Sequence, residues 1–486
     1  QAKLSRARGT KFFICYNPWD GSTRQEDHFE GLSNLIKSTT ADGVVLDTKG
    51  SSSREFQEAA DRVRPGVVMY SEGMAVPKDM TGIVSGRVHN ALYYPPLLNL
   101  NKLIRPSFAI FRVAELHKEK IRREFATSFF NGYGTEINIM APGQPDWVEE
   151  QYRYLGRTTR ILRENTTNFV SNGLKPLVQV NADSIWVNEW REGSKIVYTV
   201  FSILPGGYKG DLIEVSPSPT THFVDLWHHR LLEPKPVTGK WLVQVETSAF
   251  NASELGTNNE GEVDCVAALP VLIRSWIDGN ELHIETAEKT GVLRVWAGDP
   301  DYAKKPVELK PGKNVLPIDQ YFGRFEGKFV VQLMKGGILQ DEQICYLEPG
   351  TARRISKLVK LPGVSAPPPG MVEIPAGQFR FTVANGDEFI GYPKQDADRV
   401  FNMPKYYMDR FPVTNRQFRA FLSASGYRPA DTANFLKHWP GKKIRKGEED
   451  FPVTYISYED ALAFARWSGK RLPTEIEWQY AAQTPA

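Results

Sequence analysis

The sequence has few cysteines, little net charge and no long apolar run, and each of these shortages excludes a class of protein. Cys15, Cys265 and Cys345 are the three cysteines among 486 residues, and none forms a CxxC motif. Neither a disulfide scaffold nor a thiolate metal site is therefore supported. A formal net charge of +3 without a long basic stripe gives no electrostatic reason to expect nucleic-acid binding. No run reaches the ~18 apolar residues of a membrane helix. What is present is an ordinary globular composition, 41% hydrophobic and 24% charged, in a chain long enough for roughly three domains.

The first part of the chain, residues 1–170, alternates short apolar runs with amphipathic helical stretches. The clearest predicted strands are FFICY at 12–16, GVVLD at 43–47 and GVVMYSE at 66–72. They are β-branched or aromatic and bounded by Gly, Pro or Asp, which is typical of buried parallel strands. Six strand–helix units of this kind predict a partial (β/α)8 TIM barrel, two units short of a closed one.

From residue 171 the pattern changes to partial period-two alternation, interrupted by turn sequences such as PGGYKG and PGKN. It predicts a β-sandwich at 171–270 and a second, immunoglobulin-like sandwich at 271–350. The first contains Asp225-Leu-Trp-His228-His229, which has metal-ligand residue types, but adjacent histidines on a strand point to opposite faces, and this favours a structural role. A Pro- and Gly-rich linker at 351–370 is expected to be extended, and the last unit is 371–486.

Two acidic residues stand at the ends of neighbouring predicted strands. Asp47 ends GVVLD and Glu72 ends GVVMYSE, 25 residues later. The carboxyl ends of barrel strands form the active-site mouth, so we expect both side chains to converge there. Two carboxylates across one mouth are the minimal apparatus of glycoside hydrolysis, one as the acid and one as the nucleophile or base. The structural alternative is that Asp47 caps the next helix and Glu72 braces a loop.

Other polar and aromatic residues of this region are candidates for binding sugar hydroxyls or stacking on sugar rings. The predicted substrate-binding set is Asn17, Trp19, Asp20, Lys49, Tyr70, Arg105, Arg112, Asn131 and Glu136.

A barrel followed by a sandwich, with Asp47 and Glu72 at successive strand ends, resembles the glycoside hydrolases of the α-amylase and α-galactosidase kind over roughly residues 1–270. In that group the nucleophilic Asp ends the fourth strand, which is the place the resemblance gives to Asp47. The acid of an amylase-like scheme ends the next strand, as Glu72 would. The resemblance implies a carbohydrate substrate and no catalytic metal.

The most specific motifs lie between 371 and 486. In order along the chain they are MVEIPAG at Met371 to Gly377, VTNRQF at Val413 to Phe418, PVTYIS at Pro452 to Ser457, Asp460-Ala461, and GKRLPTEIEW at Gly469 to Trp478. This order resembles the formylglycine-generating enzyme family, also called sulfatase-modifying factors. Taken by themselves the residues are mostly framework; Thr474 and Glu477, for example, predict a capping box.

The resemblance implies an α+β, C-type-lectin-like fold, a sulfatase or other protein partner, and copper held by a cysteine pair, or iron in relatives. All three cysteines of this chain precede the unit. We therefore expect no cofactor in the residues present and an inert unit by that mechanism. The motifs cover about half of such a domain, so we also expect a fragment, open at both ends.

Three functional hypotheses follow. The first is a glycoside-hydrolase-like body carrying a formylglycine-generating-enzyme-like domain. The second is a formylglycine-generating or related nonheme-iron oxidase whose catalytic residues lie beyond Ala486. The third makes the last domain a noncatalytic carbohydrate- or ligand-binding module, by analogy with lectin folds. No leader is visible, and sugar polymers or sulfatases as partners favour an extracytoplasmic setting.

Overall fold

The computed structural model describes residues 2–21, 25–47, 49, 53–71, 80, 85–88, 96, 98–115, 120–138, 147–257, 259–351, 358–380 and 400–483. The chain divides into two compact units, Gln1–Leu347 and Glu348–Ala486. Within the described ranges no helix is long and apolar enough to cross a membrane.

The first part of unit 1 consists of parallel strands and helices that alternate along the chain. The strands are β1 (Phe13–Tyr16), β2 (Gly43–Leu46), β3 (Val68–Ser71), β4 (Ser85–Val88), β5 (Ala109–Glu115) and β6 (Gly134–Asn138). The helices are α1 (Ala2–Ala7), α2 (His28–Thr39), α3 (Arg54–Val63), α4 (Leu100–Ile104), α5 (Arg122–Phe130), α6 (Val148–Glu164) and α7 (Thr166–Phe169). The strands form two parallel three-stranded sheets, β1-β2-β3 and β4-β5-β6. Parallel strands with helical cover are what the sequence predicted; closure into a barrel stays a prediction.

Local sequence explains where these helices begin and which face they bury. The Asp27 carboxylate accepts hydrogen bonds from the N–H groups of Phe29 and Glu30 at 2.7 and 2.8 Å, which starts α2. The apolar faces of α2 and α3 then cover one face of the first sheet. This core comprises Tyr16, Leu32, Ile36, Val44, Leu46, Phe56, Ala60, Val67 and Met69.

The next part of unit 1 is an antiparallel sandwich. Its strands are β7 (Gly173–Lys175), β8 (Ile185–Glu192), β9 (Lys195–Ser202), β10 (Tyr208–Val215), β11 (Thr221–Asp225), β12 (Arg230–Leu232), β13 (Lys235–Val237), β14 (Lys240–Thr247) and β15 (Glu262–Pro270). A six-stranded sheet, β12-β11-β15-β9-β8-β7, faces a three-stranded sheet, β10-β14-β13. Alternate apolar residues of both sheets, such as Val200 and Val243, share one core. We call this part the first sandwich.

The last part of unit 1 is a smaller pair of sheets, called here the second sandwich. It comprises β16 (Ile273–Asp278), β17 (Glu281–Thr286), β18 (Val292–Ala297), β19 (Val307–Leu309), β20 (Lys313–Pro317), α8 (Ile318–Phe322), β21 (Gly327–Lys335) and β22 (Ile338–Leu347). The sheets are β16-β17-β20 and β19-β18-β21-β22. The outer face of the second sheet contributes Trp296, Val330 and Met334 to the large core around α5 and the first sandwich, so the parts of unit 1 share one interior.

In its described residues, unit 2 forms two short antiparallel strand pairs and three α-helices. The elements are β23 (Met371–Ile374), β24 (Gly377–Arg380), β25 (Val400–Met403), β26 (Tyr406–Asp409), α9 (Asn415–Ser425), α10 (Tyr458–Trp467) and α11 (Glu475–Gln483). β23 pairs with β26, and β24 pairs with β25. The predicted capping box is confirmed: Glu477 N–H donates to Thr474 Oγ1 at 3.2 Å, and Thr474 N–H donates to Glu477 Oε2 at 2.8 Å.

Candidate functional site

Asp47 lies at the carboxyl edge of the first parallel sheet. Tyr16, Leu46 and Ser71 are in register across β1, β2 and β3. The Asp47 N–H donates to the carbonyl of Tyr16 at 3.0 Å, which continues the pairing by one residue. Leu46 belongs to the core under the helices, so strand alternation directs the partly buried Asp47 to the opposite face of the sheet.

On the β1 side of Asp47, the neighbouring residues at this edge are described by the structure. Asn17 follows Tyr16, and adjacent strands lie about 4.8 Å apart, so Asn17 and Asp47 occupy neighbouring positions at the edge. Asp20 closes the turn after β1 through its N–H bond to Asn17 O at 3.2 Å, and Trp19 is exposed in the same turn. Glu72 follows Ser71 in the sequence and lies outside the described residues.

Lys49 leans toward the helices. Its Nζ lies 5.5 Å from the ring centroid of Phe56, a residue of the core beneath α3. The geometry gives Lys49 a cation–π partner, Phe56, in the first turn of α3.

Two residues of the predicted binding set lie at the amino ends of their strands. Arg105 precedes β5; its guanidinium donates to Met80 O and lies 5.5 Å from the Phe108 ring centroid. Asn131 ends α5, just before β6, and its buried amide donates to Thr127 O at 2.9 Å. These two side chains join helix ends to strand starts, on the far side of the sheets from the carboxyl edge.

Glu136 sits within β6, and the side chains of Tyr70 in β3 and Arg112 in β5 lie outside the described residues. Ile137 packs with the cluster of Phe125 on α5 and residues of α6. Alternation therefore turns Glu136 away from the helices, to the same kind of face that carries Asp47.

The Asp225–His229 segment is arranged differently from the sequence expectation. Asp225 ends β11, and both histidines lie in the turn that leads to β12, so they are not on a strand. Asp225 Oδ1 accepts hydrogen bonds from the N–H groups of Trp227 and His228 at 3.0 and 2.8 Å, and Oδ2 lies 2.8 Å from His228 Nδ1. Arg230 Nε is 2.9 Å from the same Oδ2. These contacts support the predicted structural role. The reason is hydrogen bonding within a turn, and not the opposite faces of a strand.

Asp225, His228 and Asp264 bring potential metal-ligand atoms within 4.8 Å of one another. The donors around them do not suit a cation. Asp264 accepts the Glu246 N–H at 2.7 Å, while Asp225 is already occupied by three N–H donors and the Arg230 guanidinium. A metal ion would have to displace a fixed positive charge, so we assign this cluster to the frame of the first sandwich.

A buried polar cluster in unit 2 links the start of α9 to the loops that follow it. Asn415 Oδ1 accepts hydrogen bonds from His438 Nε2 at 2.9 Å and Trp439 Nε1 at 3.0 Å, and its amide donates to Glu448 O at 2.8 Å. Copper(I) requires soft thiolates, and the sequence from 348 to 486 contains no cysteine. The residues present therefore do not fit the copper that the family resemblance implies, and no chemical step is assigned through it.

Residues 359–485 match the sulfatase-modifying factor enzyme 1-like domain, which confirms the family resemblance predicted from the motifs. The C-terminal unit therefore contains a domain of this class at residues 359–485.

Its relatives include formylglycine-generating enzymes. That of Thermomonospora curvata is 32% identical over 151 residues, covering 24% of this chain and 48% of the relative. That of Streptomyces coelicolor is 33% identical over 162 residues, covering 25% and 50%. The inactive C-alpha-formylglycine-generating enzyme 2 of Bos taurus is 30% identical over 149 residues, covering 23% and 48%. The chain thus spans about half the length of the curated relatives that it matches.

Solved structures similar to this chain include glycoside hydrolases. Thermotoga maritima α-fucosidase aligns with a TM-score of 0.33 and 14% identity in its complex with fucose, covering 55% of this chain and 66% of that one. A maltogenic α-amylase of Thermotoga neapolitana aligns with a TM-score of 0.33 and 10% identity, covering 49% and 65%. Similarity at this level carries no argument about fold or substrate.

Proposed function

We propose that this chain is part of a carbohydrate-active, glycoside-hydrolase-like protein that carries a formylglycine-generating-enzyme-like domain. The observation that supports the proposal is the register between Leu46 of β2 and Ser71 of β3. The next residue in the sequence after each is acidic, Asp47 and Glu72. The carboxyl edge of a parallel α/β sheet is where catalytic residues of such folds stand.

The spacing of neighbouring strands favours one of the two hydrolytic mechanisms. Strands about 4.8 Å apart suit the ~5–5.5 Å separation of carboxyl groups in retaining glycosidases better than the wider inverting pair. In this scheme the Asp47 carboxylate attacks the anomeric carbon while Glu72 gives its proton to the departing glycosidic oxygen. Water then attacks the glycosyl ester, Glu72 takes the proton from that water, and Asp47 is released as carboxylate.

The test is hydrolysis of a panel of chromogenic aryl glycosides by the full-length protein. Asp47→Asn and Glu72→Gln are each expected to lower kcat by at least ~10³-fold, since neither amide can serve as a nucleophile or an acid. Glu58→Gln is the control, because Glu58 is an exposed residue of α3 paired with Arg54 at 2.8 Å. Activity that survives both amide substitutions would overturn the proposal.

The C-terminal domain has two competing roles, and one observation favours the noncatalytic one. Its relatives include a protein named as inactive, the C-alpha-formylglycine-generating enzyme 2 of Bos taurus. We propose that it binds a carbohydrate or protein ligand, such as a sulfatase, without oxidising it. The full-length protein, supplied with copper or iron, should leave a cysteine peptide of a sulfatase unchanged in mass. Conversion of that cysteine to formylglycine would favour the oxidase instead.

A further inference from the structure

The turn Leu226–His229 is wedged between α6, the first sandwich and the second sandwich. Trp227 lies 4.7 Å, ring centroid to guanidinium, from Arg157 of α6. The carbonyl of His228 accepts a hydrogen bond from Lys328 Nζ of β21 at 2.6 Å. His229 has a φ of 50°, a left-handed conformation that is uncommon for residues other than glycine. Such a conformation persists when surrounding contacts enforce it.

Both ring nitrogens of His229 are engaged, and their partners fix its protonation state. Nε2 lies 2.7 Å from Arg160 Nη2 of α6, and Nδ1 lies 2.7 Å from Glu342 Oε1 of β22. A guanidinium can only donate, so Nε2 must be the bare acceptor, and Nδ1 donates to the carboxylate. These two contacts are therefore compatible only with the neutral form of His229.

The partners of His229 have little freedom to rearrange. Glu342 is fully buried, and its second oxygen accepts from Gln332 Nε2 at 2.9 Å. Trp296 Nε1 donates to Gln332 at 2.9 Å, which fixes that amide. Arg160 is 5% exposed, and among the described residues its Nη1 has no hydrogen-bond partner. Loss of the bond to His229 would leave a buried guanidinium with both terminal nitrogens unpaired.

The buried charges around this histidine balance at neutral pH. Arg160 and Lys195 are cations, Glu164 and Glu342 are anions, and all four are less than a tenth exposed. Protonation of His229 would add an uncompensated positive charge to a site away from water, which favours opening. Burial raises the pKa of Glu164, so the closed site holds a proton there that an open site would release. The titration of Glu164 therefore favours the closed state as the pH falls and opposes the effect of His229.

His229 contacts Arg160 of α6 and Glu342 of β22 directly. Glu164 of α6 interacts electrostatically with His229 and with Arg294 of β18. Lys195 of β9 interacts with Glu164, with Glu342 and with Cys265 of β15.

We propose that His229, Arg160 and Glu342 form an acid-sensitive latch that holds the second sandwich against α6 and the first sandwich. The latch is closed while His229 is neutral and opens when the ring takes up a proton, because the Arg160 bond is then replaced by two facing donors. The range to test runs from about pH 5 to 8, in which histidine is the side chain whose charge changes most readily.

The test is hydrogen–deuterium exchange of the full chain across this pH range, corrected for the intrinsic pH dependence of amide exchange. Opening linked to one proton should increase by up to about tenfold per pH unit on acidification, in peptides from β18, β21 and β22. His229→Gln supplies an amide that can accept from Arg160 and donate to Glu342 but does not titrate. It should keep the neutral-pH protection and lose most of the acid response.

A second variant covers the case in which His229→Gln does not fold. In Arg160→Gln the amide can rotate to accept from a protonated ring, so the acid response should also weaken. The matched control is His222→Gln at the same joint. His222 Nδ1 accepts from Gln343 Nε2 at 3.1 Å, and its Nε2 faces Asp341 Oδ1 at 2.6 Å. The Gln343 amide can rotate so that its oxygen accepts from a protonated His222 ring, and the Asp341 carboxylate can accept from the ring in either state. The control should therefore keep the wild-type response. A wild-type pH profile in both test variants, or its loss in the control, would overturn the latch.

Discussion

The carboxyl groups of Asp225 and Asp264 lie within 4.8 Å of each other, both fully buried in the first sandwich, and they prefer opposite protonation states. Burial, and next the negative charge of Asp225, raises the pKa of Asp264 well above its usual range. Burial would also raise the pKa of Asp225, but hydrogen bonds from His228 and the charge of Arg230 hold it below its ordinary value. The pair therefore carries one negative charge, on Asp225.

This asymmetry predicts unequal effects of two chemically identical substitutions. Asp225→Asn places an amide against the donors of His228 and Arg230, and we expect it to lower the free energy of unfolding by about 3–5 kcal/mol at pH 7. Asp264→Asn replaces a group that is already neutral and removes one side-chain oxygen that accepts from a backbone N–H. It should therefore lower the free energy of unfolding by only about 1–2 kcal/mol. Urea unfolding of both variants measures the difference. Equal losses would contradict the assignment of the charge to Asp225.

The pH dependence of Asp264→Asn follows from the raised pKa. The folded state retains a proton that the unfolded chain releases, so this group makes wild-type stability fall as the pH rises above the ordinary carboxyl range. Asparagine does not titrate, so the free energy of unfolding of the variant should rise relative to that of the wild type between about pH 4 and pH 7. Excess Ca²⁺ or Zn²⁺ should not change the Tm of the wild type. A metal-dependent rise in Tm that both substitutions remove would instead indicate a metal site.

Glu262, at the start of β15, makes a second pH-dependent contribution. Burial raises its pKa to about 7, although Arg122 Nε lies 3.4 Å from Oε1. The folded state again holds the extra proton, so stability is lost as the pH rises from the unfolded value of 4.5 toward 7. Glu262→Gln should be more stable than wild type by up to about 3 kcal/mol at pH 8 and nearly equal to it at pH 4. Thermal unfolding against pH checks this, with exposed Glu149→Gln as a pH-independent control.

Short-range patterns allowed much of the fold to be predicted. The three apolar runs 12–16, 43–47 and 66–72 contain β1, β2 and β3. The box formed by Thr474 and Glu477 was predictable for the same reason: its donors and acceptors lie within one helical turn.

Contacts between distant residues were not predictable from local pattern. His229 meets Arg160 and Glu342, which are 69 and 113 residues away, and nothing near His229 indicates either partner. The turn itself did have a signal. Asp225 accepts hydrogen bonds from the N–H groups two and three residues ahead, as aspartate often does at turns. This preference could have been used to predict that the strand ends at Asp225. Arg105 and Asn131 lie at the amino ends of β5 and β6, a placement that residue type alone could not indicate.

Tyr154 of α6 provides a test of an unpaired hydroxyl. The residue is partly buried but its OH is fully buried, and among the described residues this OH has no hydrogen-bond partner. Tyr154→Phe removes a desolvated group that is not compensated and should raise the free energy of unfolding by about 1 kcal/mol. Tyr133→Phe is the matched control, because the Tyr133 OH donates to Asn99 Oδ1 at 2.8 Å; it should lower stability by about 1 kcal/mol. The same sign for both substitutions would refute the argument.

Adjacent residues of one family motif in unit 2 should differ widely in their contribution to stability. Asn415 is 1% exposed and satisfies His438, Trp439 and the Glu448 carbonyl, so Asn415→Ala leaves several buried groups unpaired and should cost about 3 kcal/mol. Arg416 forms a two-bond ion pair with Asp450, at 2.9 Å for each bond, but both side chains are more than half exposed. Arg416→Ala should therefore cost between about 0 and 1 kcal/mol. Denaturant unfolding of the full chain, followed by hydrogen–deuterium exchange of peptides from α9 and α10, separates the two. If removal of Arg416 proved as damaging as removal of Asn415, the motif would owe its stability to surface charge and not to the buried amide.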